Sequence, residues 1–213
     1  DGDDDDIDHG NSSTMNPVTA ITLETIFYTE GNAGTGLYPK LIERNNNTGY
    51  HIYSNRNEAS DGTRIDIVAQ DVYGGYIFVH SITGVTKETW HYLAARYDQE
   101  YAMAWLDTAE KVHYAATENM STNTNSTSIG GTNGANAFDG LIDEVRISDT
   151  ARSAAWLKAT SYACFDDLLS YSFDALRDTR YEWDAGGNLV QRKDILNSEM
   201  ENFSYDFLDR LET

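Results

Sequence analysis

Hydrophobic and polar positions alternate with a period of two over most of the first 160 residues. In ITLETIF, at 21–27, Leu23 and Phe27 share one face, and the opposite face carries Glu24 and Ile26. Neighbouring side chains of a strand point to opposite faces, so the pattern predicts short, half-buried β-strands. The other segments with this period are TGYHIYSN (48–55), TRIDIVAQ (63–70), YIFVHS (76–81), TWHYLAARYD (89–98), AMAWLD (102–107), KVHYAA (111–116) and FDGLIDEVRIS (138–148).

Polar connectors separate these segments. One of them, STNTNSTSIGGTNGAN at 121–136, has no apolar period and is interpreted as a loop. ARSAAWLKAT at 151–160 is the one helical signal in this part of the chain. Turn signals at these spacings predict an all-β fold, an antiparallel β-sandwich of the jelly-roll type with two sheets face to face and a short helix after the last strand.

The composition changes after Cys164. An aromatic-x-aromatic-Asp unit occurs at 171–174, 181–184 and 203–206, and aromatic residues at i and i+2 share one face of a strand. The tail therefore predicts a β-hairpin repeat segment. The predicted organisation is one domain at 1–163, which should fold without the tail, and a repeat segment at 164–213.

The chain has 213 residues and a formal net charge of -20, and 40% of its residues are hydrophobic. This apolar content supplies a core, so the acidity does not indicate disorder. The charge argues against nucleic acid as a partner, because phosphate backbones require clusters of Lys and Arg. No apolar run approaches the roughly 18 residues of a membrane-spanning helix, so no membrane insertion is expected.

Tyrosine is frequent, with 14 copies. Tyr50, Tyr53, Tyr73 and Tyr76 lie on or near predicted loops and are the candidate ligand-binding residues, since exposed rings can stack on sugars. The alternative for each is core packing, and the sequence leaves open which face it takes. Core packing is the preferred interpretation of Trp90.

Three segments resemble the laminin-G-like branch of the concanavalin-A-like jelly rolls. FDGLIDEVRISDTARSAAW is similar to the closing strand and terminal helix of that family, and TWHYLAARYD is similar to its central strand. DGDDDDIDHG resembles its opening strand, although Asp6 stands where an aromatic residue is expected. The resemblance covers about residues 1–163. It implies a carbohydrate or glycoprotein ligand held by loops, and a secreted or cell-surface bacterial protein.

The same resemblance implies a structural Ca²⁺ between the acidic N-terminal segment and the closing strand. Its ligands would be Asp1, Asp3, Asp5 and Asp143, because calcium takes six to eight oxygen ligands and carboxylates so close together repel each other without a cation. The alternative is a solvated acidic edge that discourages sheet-to-sheet aggregation.

The tail resembles the Rhs or YD repeats of large bacterial surface and toxin proteins. YEWDAGGNL and FSYDFLDRL are close to the two half-patterns of that repeat, and YSFDALRDT is a weaker third copy. Repeat units need neighbours to bury their faces, so the resemblance implies downstream Rhs-like repeats of the same polypeptide as a partner.

Catalysis is not expected. Related glucanases carry Glu-x-Asp-x-x-Glu on one strand, and no such string occurs here, while Glu24 and Asp66 each stand alone. No histidine pair has metal-ligand spacing, His91 is interpreted as a structural histidine, and Cys164 has no partner for a catalytic thiol. The leading hypothesis is a non-catalytic binding or adhesion module. The alternatives are a structural spacer or cap for the Rhs-like part, and a glycan-cleaving enzyme.

Overall fold

The computed structural model describes residues 6–30, 37–44, 48–55, 64–131, 136–165, 179–194, 198–206 and 211. The chain divides into two compact units, Asp1–Leu168 and Leu169–Thr213. The division falls five residues after the boundary predicted from the sequence.

Two antiparallel sheets form the first unit. The six-stranded sheet has the order β1 (Ile7–Asp8), β10 (Thr127–Ile129), β3 (Lys40–Arg44), β4 (Tyr50–Ser54), β5 (Arg64–Gln70) and β6 (Tyr76–Thr83). The five-stranded sheet has the order β11 (Gly140–Ser148), β2 (Ile21–Thr29), β7 (Trp90–Tyr97), β8 (Tyr101–Leu106) and β9 (Ala109–Ala115). This is the jelly-roll β-sandwich predicted from the sequence.

The core lies between the two sheets and follows the predicted alternation. Leu23 and Phe27 of β2 pack in one hydrophobic cluster with Ile52 and Ile67 of the opposite sheet. Ile26, which alternation places on the other face of β2, belongs to a second cluster on the outer face of the five-stranded sheet. Each strand of this sheet therefore has an inner face and an outer face with separate partners.

Helix α1 (Ala154–Cys164) covers part of that outer face. Its N-cap is Ser153, whose side-chain oxygen accepts a hydrogen bond from the backbone N–H of Trp156 at 3.2 Å. Leu157 is buried in the second cluster against Ile26 and Tyr92. Among the described residues, no helix is long and apolar enough to cross a membrane.

Two strands are absent from the sequence prediction. All five residues of β3 are buried, and its sequence KLIER places Leu41 and Ile42 side by side between charged residues, so it shows no alternation of hydrophobic and polar positions. β10 has three residues inside the stretch interpreted as a loop, and it forms because β1 and β3 pair with it on either side. In the described chain β1 is also shorter than the acidic opening strand that was expected.

A buried guanidinium ties the N-terminal segment to the six-stranded sheet. Arg44 of β3 has no exposed surface, and it donates hydrogen bonds to oxygen atoms of two segments that flank β3. The acceptors are Asn11 Oδ1 (3.0 Å), Ser12 O (3.3 Å), Asn16 Oδ1 (3.1 Å), Asn123 O (3.3 Å) and Thr127 Oγ1 (2.9 Å). Arg44 thus fixes the approach to the short 3₁₀ helix at Ser13–Met15 and the entry to β10.

The second unit is an antiparallel sheet of three strands, with β13 (Leu189–Asp194) between β12 (Thr179–Trp183) and β14 (Glu199–Asn202). Asp184 Oδ1 accepts hydrogen bonds from the backbone N–H groups of Gly186 and Asn188, both at 2.8 Å, and closes the β12–β13 hairpin. This hairpin is the one predicted from the second aromatic-x-aromatic-Asp unit. The first copy of the aromatic-x-aromatic-Asp motif, at 171–174, lies outside the described residues.

Replacing Arg44 tests the role of the buried guanidinium. We expect Arg44→Met to lower the free energy of unfolding by about 3 kcal/mol, because several acceptors lose their donor inside the fold. The matched control is Arg146→Met, whose half-exposed side chain should change stability by less than about 1 kcal/mol. Denaturant unfolding followed by circular dichroism measures both. Equal small losses would show that Arg44 does not hold the two segments.

Shortening the chain tests the domain boundary. Cys164 and Phe165 pack against the cluster beneath α1, so a chain ending at Leu168 retains them, whereas one ending at Ala163 does not. We expect the chain ending at Leu168 to unfold in a single cooperative transition. A non-cooperative thermal melt would show that the tail completes the core of the first unit.

Candidate binding surfaces

The connection between β5 and β6 presents two exposed aromatic rings. Tyr73 is 82% exposed and Tyr76 is 57% exposed. Asp71 Oδ1 accepts hydrogen bonds from the backbone N–H groups of Tyr73 at 2.7 Å and Gly75 at 2.9 Å. An aspartate that bonds to its own turn in this way fixes the backbone. We call residues 71–76 the tyrosine turn.

Neighbouring contacts also hold this turn in place. Gly74 has a φ of +84°, a conformation that side chains disfavour, and a Cβ at Gly75 would lie 2.5 Å from Asp71 Oδ2. The backbone N–H of Val72 donates to the carbonyl of Asn119 at 3.0 Å. The two tyrosine rings are therefore carried by a turn that is tied to the rest of the sandwich.

The structure separates the other two candidate tyrosines from the turn. Tyr50 is 2% exposed, and its hydroxyl donates to the carbonyl of Met15 at 3.3 Å, so its ring belongs to the core. Tyr53 is half-buried on the outer face of the six-stranded sheet. Its ring centroid lies 5.4 Å from that of Tyr38 and 4.7 Å from Lys40 Nζ. Of the four candidate tyrosines, only Tyr73 and Tyr76 are largely exposed, and both belong to the tyrosine turn.

Polar side chains pair with each other on the outer face of the six-stranded sheet. Lys40 Nζ lies 3.7 Å from Glu43 Oε1. Asp66 accepts hydrogen bonds from Arg64 Nε at 2.8 Å and from Asn55 Nδ2 at 2.6 Å. Burial opposes ionisation of Asp66, but hydrogen bonds from Arg64, Asn55 and a further donor outweigh it and lower the pKa. The charges of this face are therefore engaged within it.

His51 lies between these pairs and remains neutral. Its ring is 5.1 Å from that of Tyr53, and its Nδ1 has no hydrogen-bond partner in the part of the chain that the structure describes. Burial first, and the nearby positive charge of Lys40 second, lower the pKa of His51 to about 3. The ring consequently carries no charge at physiological pH.

A second exposed aromatic surface crosses the five-stranded sheet. Leu141 of β11 pairs with Tyr28 of β2, which pairs with Trp90 of β7, so the three stand in one register row. The ring centroids of Tyr28 and Trp90 are 5.6 Å apart, with their planes at 54°. Trp90 is 39% exposed and Leu141 53%. We call these three residues the aromatic row.

The interpretation of Trp90 as a core residue is therefore wrong. Alternation puts Trp90 and Tyr92 on the same outer face, but Tyr92 packs in the cluster with α1, whereas Trp90 keeps an exposed ring. Trp105 is the buried tryptophan of that cluster. His91, which points to the inner side, is a structural histidine as expected: its ring nitrogens lie 3.0 Å from Asp107 Oδ2 and 2.9 Å from Thr86 O.

A family model described as the concanavalin A-like lectin/glucanases superfamily matches residues 1–158. The chain belongs to this superfamily. A comparison with curated protein sequences gave no significant match.

Solved structures share the superfamily fold at low identity. The binding domain of Paraclostridial Mosquitocidal Protein 1 is 10% identical with a TM-score of 0.58, over 97% of this chain and 55% of that one. The botulinum neurotoxin serotype D binding domain is 11% identical with a TM-score of 0.55, over 88% of this chain and 44% of that one. Ruminococcus gnavus IT-sialidase CBM40, bound to α2,3-sialyllactose, is 12% identical with a TM-score of 0.54, over 74% of this chain and 96% of that one.

The first two of these chains are much longer than the part that matches, so this chain spans about half of each. At such identities the similarity establishes the shared fold, and function must be argued from the residues of this chain.

Asp143 is the one described residue of the predicted calcium site. It lies at an irregularity in the pairing of β11, and its Oδ1 accepts from the backbone N–H of Glu144 at 2.8 Å. It lines a cleft of about 400 Å³ with Thr160 and Cys164 of α1. Asp1, Asp3 and Asp5 lie outside the described residues.

The described part of the N-terminal segment faces a different cleft. Asp6 and Ile7 line a space of about 290 Å³ together with Gly140 and Ile142 of β11. Ile142 packs against the core, so alternation directs Asp143 to the opposite, outer face. Within the described residues no group of three His, Cys, Asp or Glu side chains is arranged to hold a metal ion. The calcium site therefore remains a prediction.

Glu24 and Asp66, the two isolated carboxylates on strands, lie on opposite sides of the sandwich. Glu24 lies in the outer face of the five-stranded sheet and accepts a hydrogen bond from the Tyr92 hydroxyl at 2.6 Å. Asp66 lies on the outer face of the six-stranded sheet. Packed sheets are about 10 Å apart, and both carboxylates point away from the other sheet, so these two cannot flank one glycosidic bond. Burial raises the pKa of Cys164, which disfavours the thiolate.

Thermal melting tests the calcium hypothesis. If Ca²⁺ joins the N-terminal aspartates to Asp143, calcium should raise the melting temperature relative to EDTA at low salt, because it binds the folded state only. Asp143→Ala should remove this difference, and the exposed Asp149→Ala should keep it. Identical melts of the unaltered chain in calcium and in EDTA would contradict the hypothesis and favour a solvated acidic edge.

Proposed function

We propose that this protein is a non-catalytic carbohydrate-binding or adhesion module that holds a neutral glycan at the tyrosine turn. The observation that carries the proposal is the pair of exposed rings of Tyr73 and Tyr76 on a turn fixed by Asp71. The fold, which recurs in solved binding domains from toxins and a sialidase, is compatible with this role.

Rings held in this way suit sugar recognition. A tyrosine offers an apolar face that packs against the C–H face of a sugar and a hydroxyl that hydrogen-bonds its edge. Because the hydrogen bonds of Asp71 already order the turn, little conformational entropy is lost when a ligand binds. The surface is open, so it buries little of its ligand. Dissociation constants on the order of micromolar to millimolar are expected.

Charge favours a neutral glycan over an anionic one. The net charge of -20 repels acidic sugars at long range. The basic side chains of the six-stranded sheet have structural partners: Lys40 is paired with Glu43, Arg64 with Asp66, and Arg44 is buried. None of these three is an exposed cation for a sugar carboxylate. Recognition then depends on stacking and on hydrogen bonds to hydroxyl groups.

The wider setting forms part of the same proposal. The module would belong to a large secreted or surface-attached protein, with the three-stranded unit leading into Rhs-like repeats. A structural calcium would join the ends of the sandwich. The competing hypothesis is a spacer or cap that binds no glycan, and the binding experiment below distinguishes the two.

A glycan array that contains neutral and sialylated glycans tests the proposal. We expect the full chain to bind neutral glycans, and Tyr73→Ala to weaken this binding about tenfold, which corresponds to losing one stacked ring. Tyr101→Ala is the matched control, because Tyr101 is partly exposed on the other sheet, where its ring contacts His113. This variant should bind as the unaltered chain does.

Two results would contradict the proposal. Absence of binding to every glycan by a chain that melts normally would favour the spacer. Equal losses in Tyr73→Ala and Tyr101→Ala would show that the tyrosine turn is not the binding surface. A preference for sialylated glycans would overturn the charge argument alone.

A further inference from the structure

We propose that the aromatic row of Tyr28, Trp90 and Leu141 is a second sugar-binding surface, on the sheet opposite the tyrosine turn. The class of ligand rests on the proposed function. The location rests on different residues.

The row has the dimensions of a short stretch of sugar chain. Its three residues occupy adjacent strands in direct register, so they span two inter-strand spacings, roughly 10 Å. This length matches about a disaccharide laid across the strands. Because hydrogen-bonded strands carry all three side chains, and Tyr28 packs against Trp90, the surface is formed before any ligand arrives.

The row is a part of the outer face that α1 does not cover. Ile26 on β2 and Tyr92 on β7 each lie two residues from the row. Both are buried in the cluster that contains Leu157 of the helix. Trp90 and Leu141 lie beyond this cover and keep exposed apolar surface. Exposed apolar groups that stand together on a soluble domain mark binding surfaces more often than isolated ones do.

Acidic residues border the row. Glu30 follows Tyr28 by two residues, and its backbone N–H donates to the carbonyl of Asp139 at 3.4 Å. The backbone N–H of Glu88 donates to the carbonyl of Thr29 at 2.9 Å. Asp139, Glu30 and Glu88 each lie two positions from one member of the row, so the acidic residues run along one side of it. Carboxylates there can accept hydrogen bonds from sugar hydroxyls and disfavour anionic ligands.

The size and shape of the row argue against other occupants. A stable protein interface buries about 800 Å² per partner, more than three partly exposed side chains supply. Proteins that recognise a ligand cation commonly surround it with several rings, whereas Tyr28 and Trp90 form an open pair with their planes at 54°. A line of apolar surface with acidic residues along one side fits a chain of sugar rings.

Two surfaces on opposite sheets would make the domain bivalent. One copy could then hold two segments of polysaccharide, and binding to a polymer would be tighter than binding to a short oligosaccharide.

Calorimetry on the full chain tests the second surface. A panel of neutral polysaccharides (a β-glucan, a mannan, a xylan and an arabinan) first identifies the tightest probe, and its four-sugar fragment is then titrated. We expect the unaltered chain to show two binding sites. The Trp90→Ala and Tyr73→Ala variants should each retain one site, and the double variant should have none. Affinity for the intact polysaccharide should fall about tenfold in each single variant, a change of about 1.4 kcal/mol.

Trp156→Ala is the matched control. Trp156 is 49% exposed on α1, and the Arg152 guanidinium lies 4.9 Å from its ring, so it belongs to neither surface. Its replacement should leave the number of sites at two. Leu141→Ser, which keeps Tyr28 and Trp90, should weaken the second site without abolishing folding, and it substitutes for Trp90→Ala if that variant melts early.

The outcomes separate the two proposals. One site that is lost in Tyr73→Ala and unchanged in Trp90→Ala and Leu141→Ser overturns the second surface and leaves the proposed function standing. No binding of any polysaccharide overturns both. Binding of poly-lysine, but of no sugar, through Trp90 would overturn the ligand class assigned to the row.

Discussion

Adjacent side chains of a strand point in opposite directions, so each sheet of this sandwich has two faces. Whether a residue is buried or exposed depends on what covers its face. The inner faces pack together, as Phe27 and Ile67 do. An outer face must be covered by another element or carry polar groups that are paired or solvated. α1 covers Ile26 and Tyr92 of the five-stranded sheet. On the six-stranded sheet, polar residues such as Asp66 and Arg64 pair with each other.

The same constraint explains how much of the fold the sequence predicts. Alternation is visible where one face is more polar than the other, and those strands were identified together with the correct inner face of β2. β3 has two adjacent apolar residues, Leu41 and Ile42, between charged ones, and β10 is short, so neither carries a periodic signal. Sequence reasoning also places an arginine on the surface, yet each nitrogen of the Arg44 guanidinium donates to an oxygen from a segment distant in sequence.

Candidate ligand residues were harder to predict, because exposure depends on tertiary packing. Tyr50 and Tyr73 both lie near turn-rich sequence, but the first fills the core and the second stands 82% exposed. Trp90 and Trp105 both lie in apolar strands, and the extent of α1 decides which one is covered. The pair Gly74-Gly75 did indicate a turn before β6, but which way the two tyrosine rings face could not be predicted from the sequence.

The distribution of charge narrows the chemistry of recognition further. The chain carries 15 Lys and Arg residues against 35 Asp and Glu, and in the six-stranded sheet the basic ones are held in the fold as Arg44, Lys40 and Arg64. His51 adds no positive charge, because burial and Lys40 keep its pKa near 3. The excess of acidic residues therefore gives the protein surface a net negative charge. For the proposed glycan, this sheet offers neutral aromatic rings in a negative field, so affinity would come from stacking and hydroxyl hydrogen bonds and would vary little with salt.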